Sequence, residues 1–336
     1  MDLTFNIIFV PGTVRYLRLA TASLLKHSPY RYRLVANGLD HGEQGLLRAF
    51  CDRSTRLEYF YYPTRGVLDH GTMLNLLFQR EASPWFCIAD SDIFATGPFH
   101  EELEASLPEC DVFTSCLPIS MDPEIVLPGF SGRSLQTPGG RPLAPTYFSV
   151  YRTELFRRII GETRVGFEVY HPGRHLPDLP QLPDEALRPR RLDTAKLLSL
   201  LAHQHGARFL HRELPSLIHI GGISRGRDSW KERMANRLGQ SRRRAWVLDE
   251  SRPRSAIRHR NRRRKLELAS ASPAEREELR SRALRNLLAT WFGHYFVHRF
   301  DGGPRPRFEL DDPRLTEILL RFDALVETLM ARGEFN

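Results

Sequence analysis

Over about the first 115 residues, apolar and polar positions recur in two alternating periods. Residues 5–10, 32–36 and 57–61 read as strands, and residues 85–89 form a continuous apolar run of the kind buried on both faces of a sheet. Between them, residues 14–26, 43–49 and 70–80 carry apolar side chains at helical spacing, as with Leu17, Leu19, Ala20 and Leu24. Pro11-Gly12 interrupts the chain after the first strand, and Asn37-Gly38 ends the second with a strong turn pair. Strand and helix in regular alternation predict βαβ units, and so a parallel sheet with right-handed crossovers.

The rhythm loosens after Asp92. Residues 111–117 and 147–151 return to strand character across a stretch, 118–146, rich in Pro, Gly and Ser. Such a long loop inside a compact domain is usually functional. A second irregular stretch, 170–191, holds five prolines. The two are expected to shape an acceptor pocket or lid, with plain surface excursions as the alternative. Residues 193–205 have helical spacing, with Asp193 placed to cap the start and Gly206 just past the end. Residues 207–211 and 216–220 read as short strands.

Toward the C-terminus, Ser272-Pro273-Ala274-Glu275 has the form of a capping box, and Asp312-Pro313 opens a last helix. Its stripe of Leu315, Ile318, Leu319, Phe322, Leu325, Val326 and Leu329 is expected to pack on the preceding core, with a homodimer interface as the alternative. The chain thus divides into a catalytic-type domain over 1–230, an Arg-rich linker over 231–271 and a helical extension over 272–336.

Composition narrows the class. With 336 residues, 41 % of them apolar and 26 % charged, the chain is long enough for a sizeable core and has ordinary globular composition. No apolar run approaches a bilayer span and no signal-peptide pattern opens the chain, so the expected location is cytoplasmic. Cys51, Cys87, Cys110 and Cys116 have no metal-type spacing and read as reduced packing residues. The net charge of +9 is local: residues 242–265 carry eleven basic against two acidic side chains, so the remainder balances to zero. A block of this kind suits anionic lipid, nucleic acid or a phosphorylated acceptor, and a peripheral contact with the inner membrane face through 242–265 is one expectation. A solvated linker is the other. With Trp246 as its one aromatic residue, the block lacks the stacking platform of a single-strand binder.

The strongest chemistry lies in Asp90-Ser91-Asp92, directly after the apolar run. Period-two alternation puts both carboxylates on one side of an extended backbone, at the strand end where open α/β sheets bind ligands. Such a pair suits Mg²⁺ or Mn²⁺ and, through it, a diphosphate; a solvated turn is the plain alternative.

Taken together, the N-terminal pieces resemble a GT-A-fold glycosyltransferase of the family 2-like kind. They are the opening strand into Val10-Pro11-Gly12-Thr13-Val14-Arg15, the second strand into Ala36-Asn37-Gly38-Leu39-Asp40, the helix start Asp69-His70-Gly71-Thr72-Met73-Leu74-Asn75, and Asp90-Ser91-Asp92 as the Asp-x-Asp motif. The resemblance covers roughly residues 3–222 and implies an α/β, Rossmann-like, mostly parallel sheet flanked by helices, followed by a helical, Arg-rich extension. It implies that Pro11, Gly12, Arg15 and Asn37 hold the base and ribose of a nucleotide-diphosphate sugar, with Asp69 and Asn75 shaping the same pocket. Asp90 would contact ribose or the metal, Asp92 would ligate the metal, and His219 would complete its shell. Because the set includes an imidazole, Mn²⁺ is preferred to Mg²⁺. Gly221 and Gly222 would let backbone approach the phosphates, and Arg225 and Arg227 would steady the leaving diphosphate. Where the family places a Glu-Asp pair before a helix, this chain has Asp193-Thr194. Asp193 is the expected base, with Asp184 and Glu185 in reserve.

The implied activity is transfer of a sugar from its nucleotide diphosphate to a hydroxyl of a glycan, lipid-linked or small-molecule acceptor, with inversion. Two alternatives remain: a retaining enzyme of the same fold with His219 on the metal, and a non-catalytic, Arg-rich polyanion-binding protein. Nucleotidyl transfer lacks a glycine-rich phosphate loop bearing Lys or Arg near the N-terminus.

Overall fold

A computed structural model describes residues 1–64, 66–171, 191–223, 272–306 and 312–331. Its strands are β1 (Thr4–Phe9), β2 (Arg31–Ala36), β3 (Leu57–Tyr61), β4 (Trp85–Ala89), β5 (Ile93–Ala95), β6 (Val112–Ser115), β7 (Phe148–Arg152), β8 (Phe209–His211) and β9 (Leu217–His219). The helices are α1 (Val14–His27), α2 (His41–Cys51), α3 (His70–Gln79), α4 (His100–Ser106), α5 (Thr153–Thr163), α6 (Lys196–Gln204), α7 (Pro273–Asp301) and α8 (Pro313–Ala331).

Seven strands form one sheet in the order β3-β2-β1-β4-β7-β6-β8. The first four are parallel, β7 runs antiparallel to both β4 and β6, and β8 is parallel to β6. The βαβ alternation therefore gives a mostly parallel sheet, as the periodicity predicts. The reversal at β7 follows from the 118–146 loop, which returns the chain beside β6 without a crossover helix. β5 and β9, three residues each, form a separate antiparallel pair.

Alternation within β4 sorts the core into two layers. Cys87 and Ala89 pack with α1, α2, α7 and α8, while Phe86 and Ile88 pack with α3, α5 and α6. Helices on both faces explain why β4 is apolar without interruption. The apolar stripe of α8 is buried, and Phe322 meets Phe94 edge-on at 4.9 Å between ring centroids. Arg15 on α1 pairs with Asp301 at the end of α7 at 2.5 Å. All four cysteines are free and buried. No described helix is long and apolar enough to cross a membrane.

The sequence places the start of α6 three residues too early. The helix begins at Lys196, preceded by Ala195 in the left-handed region at φ 62 with no side-chain cap. Asp193 lies before that kink and bonds elsewhere, so it is not the cap.

Candidate active site

β4 delivers the chain to Asp90, whose amide donates to the Tyr147 carbonyl at 2.7 Å. The turn that follows places Asp92 between two pieces of β9 and its sequel. Its carbonyl accepts from the Ile220 amide at 3.1 Å, and its Oδ2 accepts from the Ile223 amide at 3.1 Å. The β5–β9 pair, in register at Ile93 and His219, brings the imidazole opposite the two carboxylates. His219 Nε2 lies 3.5 Å from Asp90 Oδ2 and 3.3 Å from Asp92 Oδ1. Asp92 and His219 are buried, whereas Asp90 is 21 % exposed and opens onto the cleft.

His219 Nδ1 and the Cys116 carbonyl oxygen are 2.9 Å apart, which assigns the Nδ1 proton to that bond and turns Nε2 toward the carboxylates. Burial works against a charged imidazole, but contact with Asp90 and Asp92 outweighs it and raises the His219 pKa. Burial likewise opposes the Asp92 carboxylate, and His219 together with the Ile223 amide pulls its pKa down. Neither His219 Nε2 nor Asp92 Oδ1, both buried, completes a hydrogen bond. Buried polar atoms of this kind call for a partner. Two carboxylates and an oriented imidazole, with ligand atoms all within 4.8 Å of one another, fit a divalent cation.

Asp90 and His219 lie on the wall of a cleft of about 800 Å³, and Asp92 is buried directly behind them. Ile8, Val10, Pro11, Asn37, Val67 and Leu68 line one part of it, an apolar slot with one amide. Asn37 builds that wall by clamping backbone: its side chain donates to the Leu68 carbonyl and accepts from the Leu68 amide, each at 2.9 Å. Gly38 makes the approach possible, for at φ +69 a Cβ would stand 2.8 Å from Val67 N. Asp193 and Thr194 line another part, beside Ser131, Gly132 and Arg133 of the 118–146 loop. Asp193 Oδ2 accepts the Gly132 amide at 2.9 Å, and Oδ1 accepts the Thr194 amide at 3.0 Å.

Among the sequence-derived candidates, Pro11, Asn37, Asp90, Asp193, His219, Gly221 and Gly222 line this cleft. Others support its frame. Gly12 donates its amide to Glu43 at 2.8 Å, Arg15 reaches Asp301, and Asp69 caps α3 by accepting from the Thr72 amide at 3.1 Å. Asn75 accepts the Phe167 amide at 2.7 Å and donates to Glu168. Arg225, Arg227, Asp184, Glu185 and the basic block 242–265 lie outside the described residues.

Three kinds of lining residue carry no motif. Tyr147 stacks at a tilt against His219, with centroids 4.8 Å apart, and burial pushes its hydroxyl pKa up. Arg133 is buried in the cleft from an irregular loop, where sequence offers no period to read. Glu278 and Arg285 reach the cleft from α7, seven residues apart on one helix face. That spacing is readable, but only for someone who expects α7 to meet the site.

No protein-family model and no curated protein matches the chain. Among solved structures, residues 1–349 of Staphylococcus aureus TarS superpose with a TM-score of 0.42 at 16 % identity, covering 67 % of this chain and 62 % of that one. A mannosyltransferase from Pyrobaculum calidifontis, PcManGT, in complex with GDP-Man and Mn²⁺, gives a TM-score of 0.42 at 14 % identity, covering 99 % and 82 %. The glycosyltransferase GlyE of Streptococcus pneumoniae gives 0.37 at 11 %, covering 66 % and 55 %. This chain spans 35 % of the longer TarS structure. At these identities and TM-scores no activity carries across to this chain.

Proposed function

We propose that the protein is a metal-dependent glycosyltransferase that moves a sugar from a nucleotide-diphosphate sugar to an acceptor hydroxyl. The observation that carries this reading is the convergence of Asp90, Asp92 and His219 beside an apolar, amide-bearing slot in a single cleft. The slot framed by Pro11, Asn37 and Val67 has the character of a base and ribose site, and Asp90 and Asp92 stand where a diphosphate would follow. Asp90, Asp92 and His219 would hold the cation, Mn²⁺ in preference to Mg²⁺ for a set containing imidazole. Held by these residues, a divalent cation would supply charge neutralisation for a diphosphate and for the negative charge its departure leaves.

Asp193 is the base of the proposal. It lines the same cleft, is not spent on capping α6, and is held by the Gly132 and Thr194 amides. From there it accepts the proton of the acceptor hydroxyl, which attacks the anomeric carbon with inversion. Occupation of both Asp193 oxygens by amides favours a second reading, in which the same site transfers with retention and has no dedicated base. The anomeric configuration of the product separates the two. Asp193, the slot and the cation set together make the Arg-rich binding-protein reading the weaker one.

The deciding experiment is thermal unfolding with UDP, GDP or dTDP, each with and without Mn²⁺. A ligand at about 100 times its Kd adds about 2.7 kcal/mol. The expected result is Mn²⁺-dependent stabilisation by one nucleotide in the wild type and none in Asp92→Asn. Absence of any shift with all three overturns the reading and favours the polyanion-binding alternative.

A further inference from the structure

Behind His219 lies a third carboxylate, one that belongs neither to the cleft lining nor to the cation set. Glu213 sits in the connection from β8 to β9, the same segment that delivers His219. Both of its oxygens accept the Leu117 amide, at 3.1 and 3.2 Å. Leu117 N–H and Cys116 C=O belong to one peptide group, and that carbonyl is the one bonded to His219 Nδ1 at 2.9 Å. Cys116 adopts φ 66, a conformation sparsely populated by non-glycine residues, as the chain leaves β6. On its other side Glu213 pairs with His211 Nε2 at 2.9 Å, and His211 Nδ1 lies 2.9 Å from Thr114 Oγ1.

We propose that Glu213 is a positioning residue for the His219 imidazole, acting through the single peptide group between Cys116 and Leu117. The inference rests on the metal-site reading above and deepens it. A carboxylate at the N–H end of a peptide polarises it and strengthens its carbonyl as an acceptor, because hydrogen bonds in series reinforce one another. The strengthened carbonyl holds the Nδ1 proton and fixes both the ring orientation and the direction of the Nε2 lone pair. A metal-bound histidine is commonly backed by a carboxylate or a carbonyl; here the carbonyl is bonded directly and the carboxylate lies one peptide behind it. His211, itself held by Thr114, keeps Glu213 in place. A purely structural Glu213, tying the end of β6 to the β8–β9 connection, needs only an acceptor and no charge. Gln therefore separates the two roles.

The test is Mn²⁺ binding to the full chain, followed by the loss of the free-ion electron paramagnetic resonance signal, for the wild type, Glu213→Gln and Glu213→Ala. The long-range ¹H–¹⁵N pattern of the His219 ring is recorded without metal on the same proteins. Removal of such outer partners commonly costs 10–100-fold in metal affinity. The expected result is a loss of about 10-fold or more in Glu213→Ala and a smaller but clear loss in Glu213→Gln, with unchanged unfolding temperature in Glu213→Gln. The His219 Nδ1 proton, held by the Cys116 carbonyl whether or not Nε2 carries a proton, should exchange slowly in the wild type and broaden through exchange with water in Glu213→Ala. Should Glu213→Ala fail to fold, Glu213→Gln and His211→Gln carry the same comparison. Wild-type Mn²⁺ affinity and an unaltered ring pattern in both Gln variants overturn the proposal. If the wild type binds no Mn²⁺, the metal-site reading fails by itself, and the ring pattern alone decides whether Glu213 orients His219.

Discussion

Asp193 and Gly132 are joined by a 2.9 Å hydrogen bond from the glycine amide to the carboxylate Oδ2. One bond thus fastens the long loop after β6 to the segment that leads into α6, at the edge of the cleft. Gly132 is suited to the contact, since a Cβ there would already stand 3.1 Å from the same oxygen. Asn in place of Asp193 keeps one acceptor, for the Gly132 amide, leaves the Thr194 amide facing Nδ2, and removes the base. Asp193→Asn is therefore expected to lower kcat by about 10²–10⁴-fold, at a stability cost of about 1–3 kcal/mol and with nucleotide affinity near wild type. Steady-state kinetics beside a thermal scan would check this. Undiminished turnover would shift the assignment to the retaining mechanism.

One turn of chain further on, Lys196 is fully buried and its Nζ donates to the carbonyls of Ser134 at 2.8 Å and Ala144 at 3.1 Å. Burial lowers its pKa to about 7, and Asp193 only partly offsets this. The unfolded chain keeps its lysine proton up to about 10.5, so between these values the unfolded state binds more protons and stability rises with pH. Full development of that term is on the order of 5 kcal/mol. Urea unfolding at neutral pH and two units higher should show wild type gaining stability over this window and Lys196→Met losing the gain. Equal slopes in the two proteins would mean that Lys196 is charged throughout.

What the sequence reveals of this molecule depends on how local each signal is. Strands β1, β2 and β4 and the Asp90–Asp92 pair are legible because a buried parallel strand writes its own apolar run and, after β4, the carboxylates follow at once; the edge strand β3 shows through its aromatic residues instead. The antiparallel insertion of β7 is not, since strand direction is set by the path of the 118–146 loop. β9 is legible as the short strand over 216–220, but its partner β5 is too short for any period, and their pairing brings His219 to Asp92. Resemblance, not periodicity, suggested His219. Arg133, Tyr147 and Arg285 reach the cleft through tertiary packing, which no local pattern around them specifies. The expected cap role of Asp193 failed because Ala195 takes a left-handed turn before the helix can start.

Asn75 illustrates how a residue near a ligand site can serve the frame. Its Oδ1 accepts the amide of the buried Phe167 and its Nδ2 donates to Glu168, tying α3 to the segment after α5. Asn75→Ala leaves the Phe167 amide without its acceptor, which costs about 1–3 kcal/mol. Nucleotide affinity at saturating Mn²⁺ is expected to stay within about 3-fold, well under the 1.4 kcal/mol that a tenfold change represents. A loss of affinity without a loss of stability would place Asn75 in contact with the nucleotide instead.

The C-terminal helices are the last element whose role a single substitution can settle. Phe322 on α8 is completely buried, and its ring meets Phe94 at 4.9 Å, Phe292 at 5.0 Å and Tyr295 at 5.4 Å between centroids. It therefore joins β5, which carries the chain away from Asp92, to α7, which sends Glu278 and Arg285 into the cleft. Truncating a fully buried Phe costs about 3–5 kcal/mol through lost transfer energy and the cavity left behind. If α7 and α8 fold as one unit with the sheet, Phe322→Ala lowers the unfolding free energy by that amount, seen as a lower urea midpoint with an unchanged m-value and a single transition. An extension that folds on its own gives a different result: an early, separate transition with the sheet's midpoint untouched. The same variant also reports on the site. Loosening α7 withdraws Arg285 from the cleft wall, so nucleotide affinity falls along with stability, although Phe322 lies outside the cleft lining.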